Sequence, residues 1–227
     1  MTVFERLKEA AREDWTRYVD HAFIRRMEAG TLPEAVFRAY LVQDYLFLIQ
    51  FARAYALAVY KSRSLEDMRT AQTTLNVIMD EMKLHVRLCE RWNLSPATLE
   101  ATPEHQATVA YTRYVLDCGL SGDLLDLHVA LAPCVIGYAE IGRRLAPALD
   151  AAADHPYREW IGEYAGACFQ EAAGAAIAHI DRLAERALTA RRFDELVGIF
   201  AKASRLEADF WQMAFDIAEE RRNDPAG

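Results

Sequence analysis

The chain has 227 residues, 52% of them hydrophobic and 26% charged, with a formal net charge of −8. A chain of this length buries roughly 70% of its unfolded surface, enough to enclose an interior site, while the acidic balance excludes the clustered Lys and Arg on which nucleic-acid binding relies. Ten glycines and seven prolines, with no dense turn clusters, repeats or low-complexity tracts, read as a single domain over residues 1–227.

Apolar spacing at 3.6 residues per turn predicts an all-α bundle of about seven helices, over 3–29, 32–61, 65–92, 104–118, 122–148, 156–187 and 191–221, with no strand pattern. The opening MTVFERLKEAAREDW is charged and amphipathic and lacks a secretory apolar core, so a cytoplasmic protein is expected. Gly30 is placed to close the first helix, and Thr31-Leu32-Pro33-Glu34 has the Thr-x-x-Glu form of a capping box for the second. Pro96, Pro103 and Pro156 fall at helix starts or turns, and Ser121 is expected to cap the fifth helix. The charge-free run 127–139 is too short to cross a bilayer, so no membrane partner is expected. Cys89, Cys118, Cys134 and Cys168 are widely spaced, without CxxC motifs, which predicts reduced thiols.

Polar residues on apolar stripes carry the functional signal, because each must be desolvated and so needs a partner or a purpose. In the second helix Phe37, Leu41, Asp44, Leu48, Phe51 and Tyr55 form one row around Asp44. Phe200, Ala203, Glu207, Phe210 and Ala214 do the same around Glu207 in the last helix. A third row, Leu75, Ile78, Met82, His85, Cys89 and Trp92, includes a histidine expected to be a hydrogen-bonded core residue.

The fifth helix contains LAPCVIGYAEIGRRL, residues 131–145, with Leu127, Leu131, Cys134, Tyr138, Ile141 and Leu145 on one face. Cys134 and Tyr138 are i,i+4 neighbours. Pro133 deprives the Val129 carbonyl of its intrahelical donor, at a cost of roughly 3 kcal/mol in a regular helix, and is expected to open the helix beside the thiol. In the sixth helix Ile161, Tyr164 and Cys168 form a further inward row. Two inward carboxylates and a thiol beside a proline point to a buried binding or reaction site. Glu81, His85, Glu171, His179 and Asp181 lack the repeated Glu-x-x-His spacing of a di-iron bundle, and the sequence carries no nucleotide-binding fingerprint. No metal or cofactor is expected.

FRAYLVQDYLFLIQFARAYA (37–56), EMKLHVRL (81–88), LAPCVIGYAEIGRRL (131–145), YREWIGEYAG (157–166) and RLEADFWQMAF (205–215), in that order, resemble the TenA family of thiaminase II and aminopyrimidine aminohydrolase enzymes. The resemblance implies the haem-oxygenase-like all-helical fold, a homotetramer, no cofactor, and cleavage of the bond between a pyrimidine methylene and nitrogen in thiamin or an aminomethyl aminopyrimidine. It implies Cys134 as nucleophile, Glu207 as acid/base, Asp44 as the carboxylate that holds the aminopyrimidine, and Tyr111, Tyr138 and Tyr164 as pocket tyrosines. Phe47, one turn after Asp44, stands where many relatives carry a tyrosine. The alternatives are a non-catalytic pyrimidine-binding or regulatory protein, and a PqqC-like cofactorless oxidase on the same fold.

Overall fold

A computed structural model describes residues 1–223. In chain order the elements are α1 (Val3–Ala10), α2 (Arg12–Val19), α3 (Ala22–Glu28), α4 (Glu34–Lys61), α5 (Leu65–Glu90), α6 (Pro96–Glu100), α7 (Gln106–Ser121), α8 (Leu124–Ala132), a π-helical segment (Pro133–Gly137), α9 (Tyr138–Ala151), α10 (Arg158–Ala165), α11 (Ala167–Ala187) and α12 (Ala190–Asn223). The all-α expectation is met. The described residues form two compact units, one of residues 1–32 with 128–208 and one of residues 33–127 with 209–223.

In the first unit the predicted helix 3–29 is broken twice. Ala11 and Asp20 leave helical geometry at φ −111° and −112°, and the His21 side chain then starts α3 by accepting the Phe23 N–H at 3.2 Å. The breaks re-phase the apolar face, so that Leu7, Trp15, Tyr18, Phe23, Ile24 and Met27 are all buried. Thr2 and Glu5 form a reciprocal capping box at the start of α1. Gly30, at φ 66°, ends α3 as expected. The predicted helix 156–187 divides at Gly166 into α10 and α11. Leu124–Ala151 is long and apolar enough to cross a membrane by length and composition, but 89% of its most apolar window is buried inside the protein, which makes it a core helix.

The second unit is built on α4, which packs against α5, α6 and α7. The expected capping box at 31–34 does not form. Thr31 instead sends its hydroxyl to the Arg26 carbonyl at 3.4 Å, within the turn that Gly30 makes, and the cap position of α4 falls to Pro33, which has no side-chain acceptor. Ser121 likewise ends α7, with its hydroxyl on the Asp117 carbonyl at 2.6 Å. The cap of α8 is a reciprocal pair: Asp123 Oδ1 accepts the Asp126 N–H at 3.0 Å and Asp126 Oδ2 accepts the Asp123 N–H at 2.8 Å. An aspartate competes for a cap as well as a serine does, and here two of them supply both halves of the box.

Candidate active site

The predicted site residues fall into two sets. Asp44, Phe47 and Tyr111 belong to the second unit; Cys134, Tyr138, Tyr164 and Glu207 belong to the first.

Asp44 is 3% exposed on α4, where the whole predicted row from Phe37 to Tyr55 is buried. Its Oδ2 takes two hydrogen bonds, from Tyr40 Oη one turn earlier at 2.7 Å and from His85 Nε2 on α5 at 2.5 Å. Its Oδ1 accepts none among the described residues. His85 is fully buried, and its Nδ1 lies 3.3 Å from the Glu81 carbonyl. Both of its partners are acceptors, so both ring nitrogens are best served carrying protons. Burial alone would push the imidazole down. The Asp44 charge and hydrogen bond, helped by Glu81, outweigh burial and hold His85 above its ordinary value. The expectation of a hydrogen-bonded histidine is correct, and its partner is the candidate carboxylate itself.

Phe47 is buried among rings, with centroids 5.1 Å from Tyr111, 5.5 Å from Phe51 and 5.5 Å from Phe210. Phe47 and Tyr111 therefore form one aromatic wall, a turn along α4 from Asp44. Tyr40, which lies outside the predicted row, sits four residues before Asp44. That spacing was its only signal.

In the first unit the helix beside Cys134 does open, as a π-helical turn. A π turn lets carbonyls reach donors five residues on, which absorbs the N–H that Pro133 lacks, and such turns recur at functional sites. Tyr18 Oη adds a hydrogen bond to the Pro133 carbonyl at 3.1 Å. A Cβ on Gly137 would come within 2.4 Å of the Tyr18 ring, so the last residue of the turn must be glycine for Tyr18 to reach. Leu127, Leu131, Cys134, Tyr138, Ile141 and Leu145 are all buried, as the spacing predicts.

Tyr138 and Tyr164 come together, with ring centroids 4.9 Å apart, and Trp160 lies 4.5 Å from Tyr164. Gly142 allows this: a Cβ there would meet the Tyr164 carbonyl carbon at 2.4 Å, so α10 crosses α9 at backbone contact. Cys168, expected on the same inward row, is exposed. The break at Gly166 resets the helical phase and gives the inward place to Phe169, 4.8 Å from Tyr164. Glu207 is 1% exposed within the fully buried row of Phe200, Ala203, Phe210 and Ala214.

All four cysteines are free thiols, as expected. Burial pushes Cys89 up to about 11, with Arg38 pulling against it and Asp44 adding to it, and burial also raises Cys118. Both are poor thiolate sources. Among the described residues no three His, Cys, Asp or Glu side chains converge as metal ligands.

Three similar proteins bear on this arrangement. An aminopyrimidine aminohydrolase from Halalkalibacterium halodurans is 38% identical over 212 residues, covering 92% of this chain and 94% of that protein. An uncharacterized protein from Haemophilus influenzae is also 38% identical, over 95% of this chain and all of its own length. The solved structure of a TenA family transcription regulator from Silicibacter sp. TM1040 is 43% identical and superposes with a TM-score of 0.86, covering 93% of this chain and 96% of that one. The TENA/THI-4/PQQC family matches residues 8–217, and the chain belongs to that family.

Proposed function

We propose that the protein is a hydrolase of thiamin salvage. It cleaves the bond between the pyrimidine methylene and nitrogen of an aminomethyl aminopyrimidine, or of thiamin, and releases the hydroxymethyl pyrimidine. The observation that carries this reading is the Asp44 carboxylate: buried, held on Oδ2 by Tyr40 and His85, and open on Oδ1. Identity over nearly full length to an aminopyrimidine aminohydrolase supports it.

An aminopyrimidine places an amino donor beside a ring nitrogen, and a protonated ring nitrogen adds a charge-assisted donor next to it. Oδ1 of Asp44 accepts from this edge while His85 and Tyr40 fix the carboxylate plane. The protonated ring is the better electrophile. Cys134 adds to it as thiolate, the amine leaves from the methylene with a proton from Glu207, and water adds at the methylene with Glu207 taking its proton. Return of the electron pair expels the thiolate. The sum is amine plus water giving alcohol plus ammonia, with no change in oxidation state and no cofactor. Tyr138, Tyr164, Tyr111 and Phe47 supply rings and hydroxyls that line the ring's path. In this reading the protein is cytoplasmic and homotetrameric, with neither nucleic acid nor membrane as partner; sedimentation velocity tests the assembly.

Incubating the purified protein with thiamin and, separately, with the aminomethyl aminopyrimidine, while following products by chromatography, tests the activity. Hydroxymethyl pyrimidine should form from at least one of them. Tight binding of either without product would favour the second reading, a pyrimidine-binding regulator, which the description of the Silicibacter relative as a transcription regulator supports.

A further inference from the structure

A cavity lies in the second unit, lined by Glu34, Ala35, Arg38, Trp92, Ala218 and Arg221, with a volume of about 310 Å³. None of the residues assigned to the pyrimidine chemistry lines it. Its walls come from the first two turns of α4, the second residue after the end of α5, and the last turns of α12. The volume is at the small end of ordinary small-molecule sites, roughly 300–1,000 Å³.

The chemistry of the lining is unbalanced toward donors. Neither Arg38 nor Arg221 makes a hydrogen bond or ion pair among the described residues, in a chain that carries eight more negative than positive charges. The Arg38 Nε is buried without an acceptor, a state native proteins rarely leave uncompensated. Its guanidinium carbon sits 6.0 Å from the Trp92 ring centre, which holds the side chain at the cavity wall by cation–π attraction. Glu34, the acidic member, is already engaged, accepting the Trp92 Nε1–H at 2.6 Å. Pro33 gives α4 no side-chain cap, so the first-turn N–H groups at Glu34 and Ala35 also lack a side-chain acceptor.

We propose that this cavity is a binding site for the phosphoryl group of a small phosphate ester, clasped between Arg38 and Arg221. A planar carboxylate satisfies one guanidinium fork. A tetrahedral phosphate offers three terminal oxygens and nearly two negative charges at neutral pH, and can serve guanidinium groups that approach from two different helices. The cavity has room for a body the size of one aromatic ring behind the phosphate. The site is separate from the pyrimidine chemistry and stands or falls without it.

Calorimetric titration of the full chain, at constant ionic strength, with phenyl phosphate, inorganic phosphate and benzoate tests the assignment. Phenyl phosphate should bind saturably with one site per chain and at least about tenfold more tightly than benzoate, the carboxylate of the same ring. Inorganic phosphate binding as well as phenyl phosphate would make the free ion the occupant and still support a phosphoryl site. Arg38→Ala and Arg221→Ala should each weaken phenyl phosphate by about tenfold or more, the ordinary loss for a charge-assisted hydrogen bond. Arg221 is exposed, so its variant keeps the fold and isolates the ligand contact. No saturable binding by either phosphate, equal binding of benzoate, or wild-type affinity in Arg221→Ala would overturn the proposal.

Discussion

The two units place their candidate residues by different means. Around Asp44 the backbone is regular: α4 runs unbroken for 28 residues, and the carboxylate is set by side-chain hydrogen bonds from one turn away and from α5. Around Cys134 the backbone itself departs from the α-helix, and the thiol is set by a π turn whose shape depends on a proline, a glycine and the Tyr18 ring beneath them. The first arrangement should be sensitive to charge and hydrogen-bonding capacity, the second to volume. Substitutions chosen on that basis can separate the two.

The largest effect is expected at Cys134. Cys134→Ser conserves volume and should leave the π turn and the fold intact, yet lower turnover by about a thousandfold or more, because the nucleophile is lost. Replacing Cys89, Cys118 or Cys168 should not have this effect. Near-normal rates in Cys134→Ser would end the covalent mechanism.

The carboxylates come next. Glu207→Gln should cost about a hundredfold in kcat with KM little changed, the usual scale of acid/base catalysis. Asp44→Asn should raise KM as well as lower kcat, because a neutral amide does not support the ring proton. If both variants alter only thermal stability, the carboxylates are structural and the assignment fails.

The contrast between volume and charge is sharpest in the third test. Gly137→Ala drives a methyl group into Tyr18 and should destabilise the fold by about 1–3 kcal/mol. His85→Gln changes charge at the regular helix instead, and its effect should depend on pH. Because His85 is held above its ordinary value of 6.5, its contribution is fully present below about pH 6.5 and is lost as pH rises through the raised value. Thermal unfolding of wild type and His85→Gln from about pH 5 to pH 9 should show a gap that closes toward the alkaline end. A gap of constant size would show that the imidazole acts by packing alone.

The smallest effect belongs to Phe47→Tyr. The added hydroxyl is worth roughly 0.5–1.5 kcal/mol if it finds a partner, so activity on one of the two pyrimidines should rise by up to about tenfold. A folded variant slower on both would mark the apolar wall of Phe47, Tyr111, Phe51 and Phe210 as an adaptation of this chain.

Much of this was legible in the sequence. Periodicity identified an all-α chain, placed Asp44, Cys134, Tyr138 and Glu207 on buried rows, and marked Pro133 as the point where a helix opens; each follows from spacing along one helix, which the sequence records directly. What spacing could not reveal is where a helix loses phase. The breaks at Ala11, Asp20 and Gly166 carry no proline, and the last of them turned Cys168 outward. Caps behaved similarly, because Thr31 and Ser121 had nearer backbone carbonyls to bond than the helices they were expected to start. The pairing of His85 with Asp44 lies 41 residues apart in sequence and is set by how α4 packs on α5. Local patterns determine which side chains leave water; only the packing of one helix on another decides which of them meet once there, because hydrogen bonds between helices depend on distances that no single helix encodes.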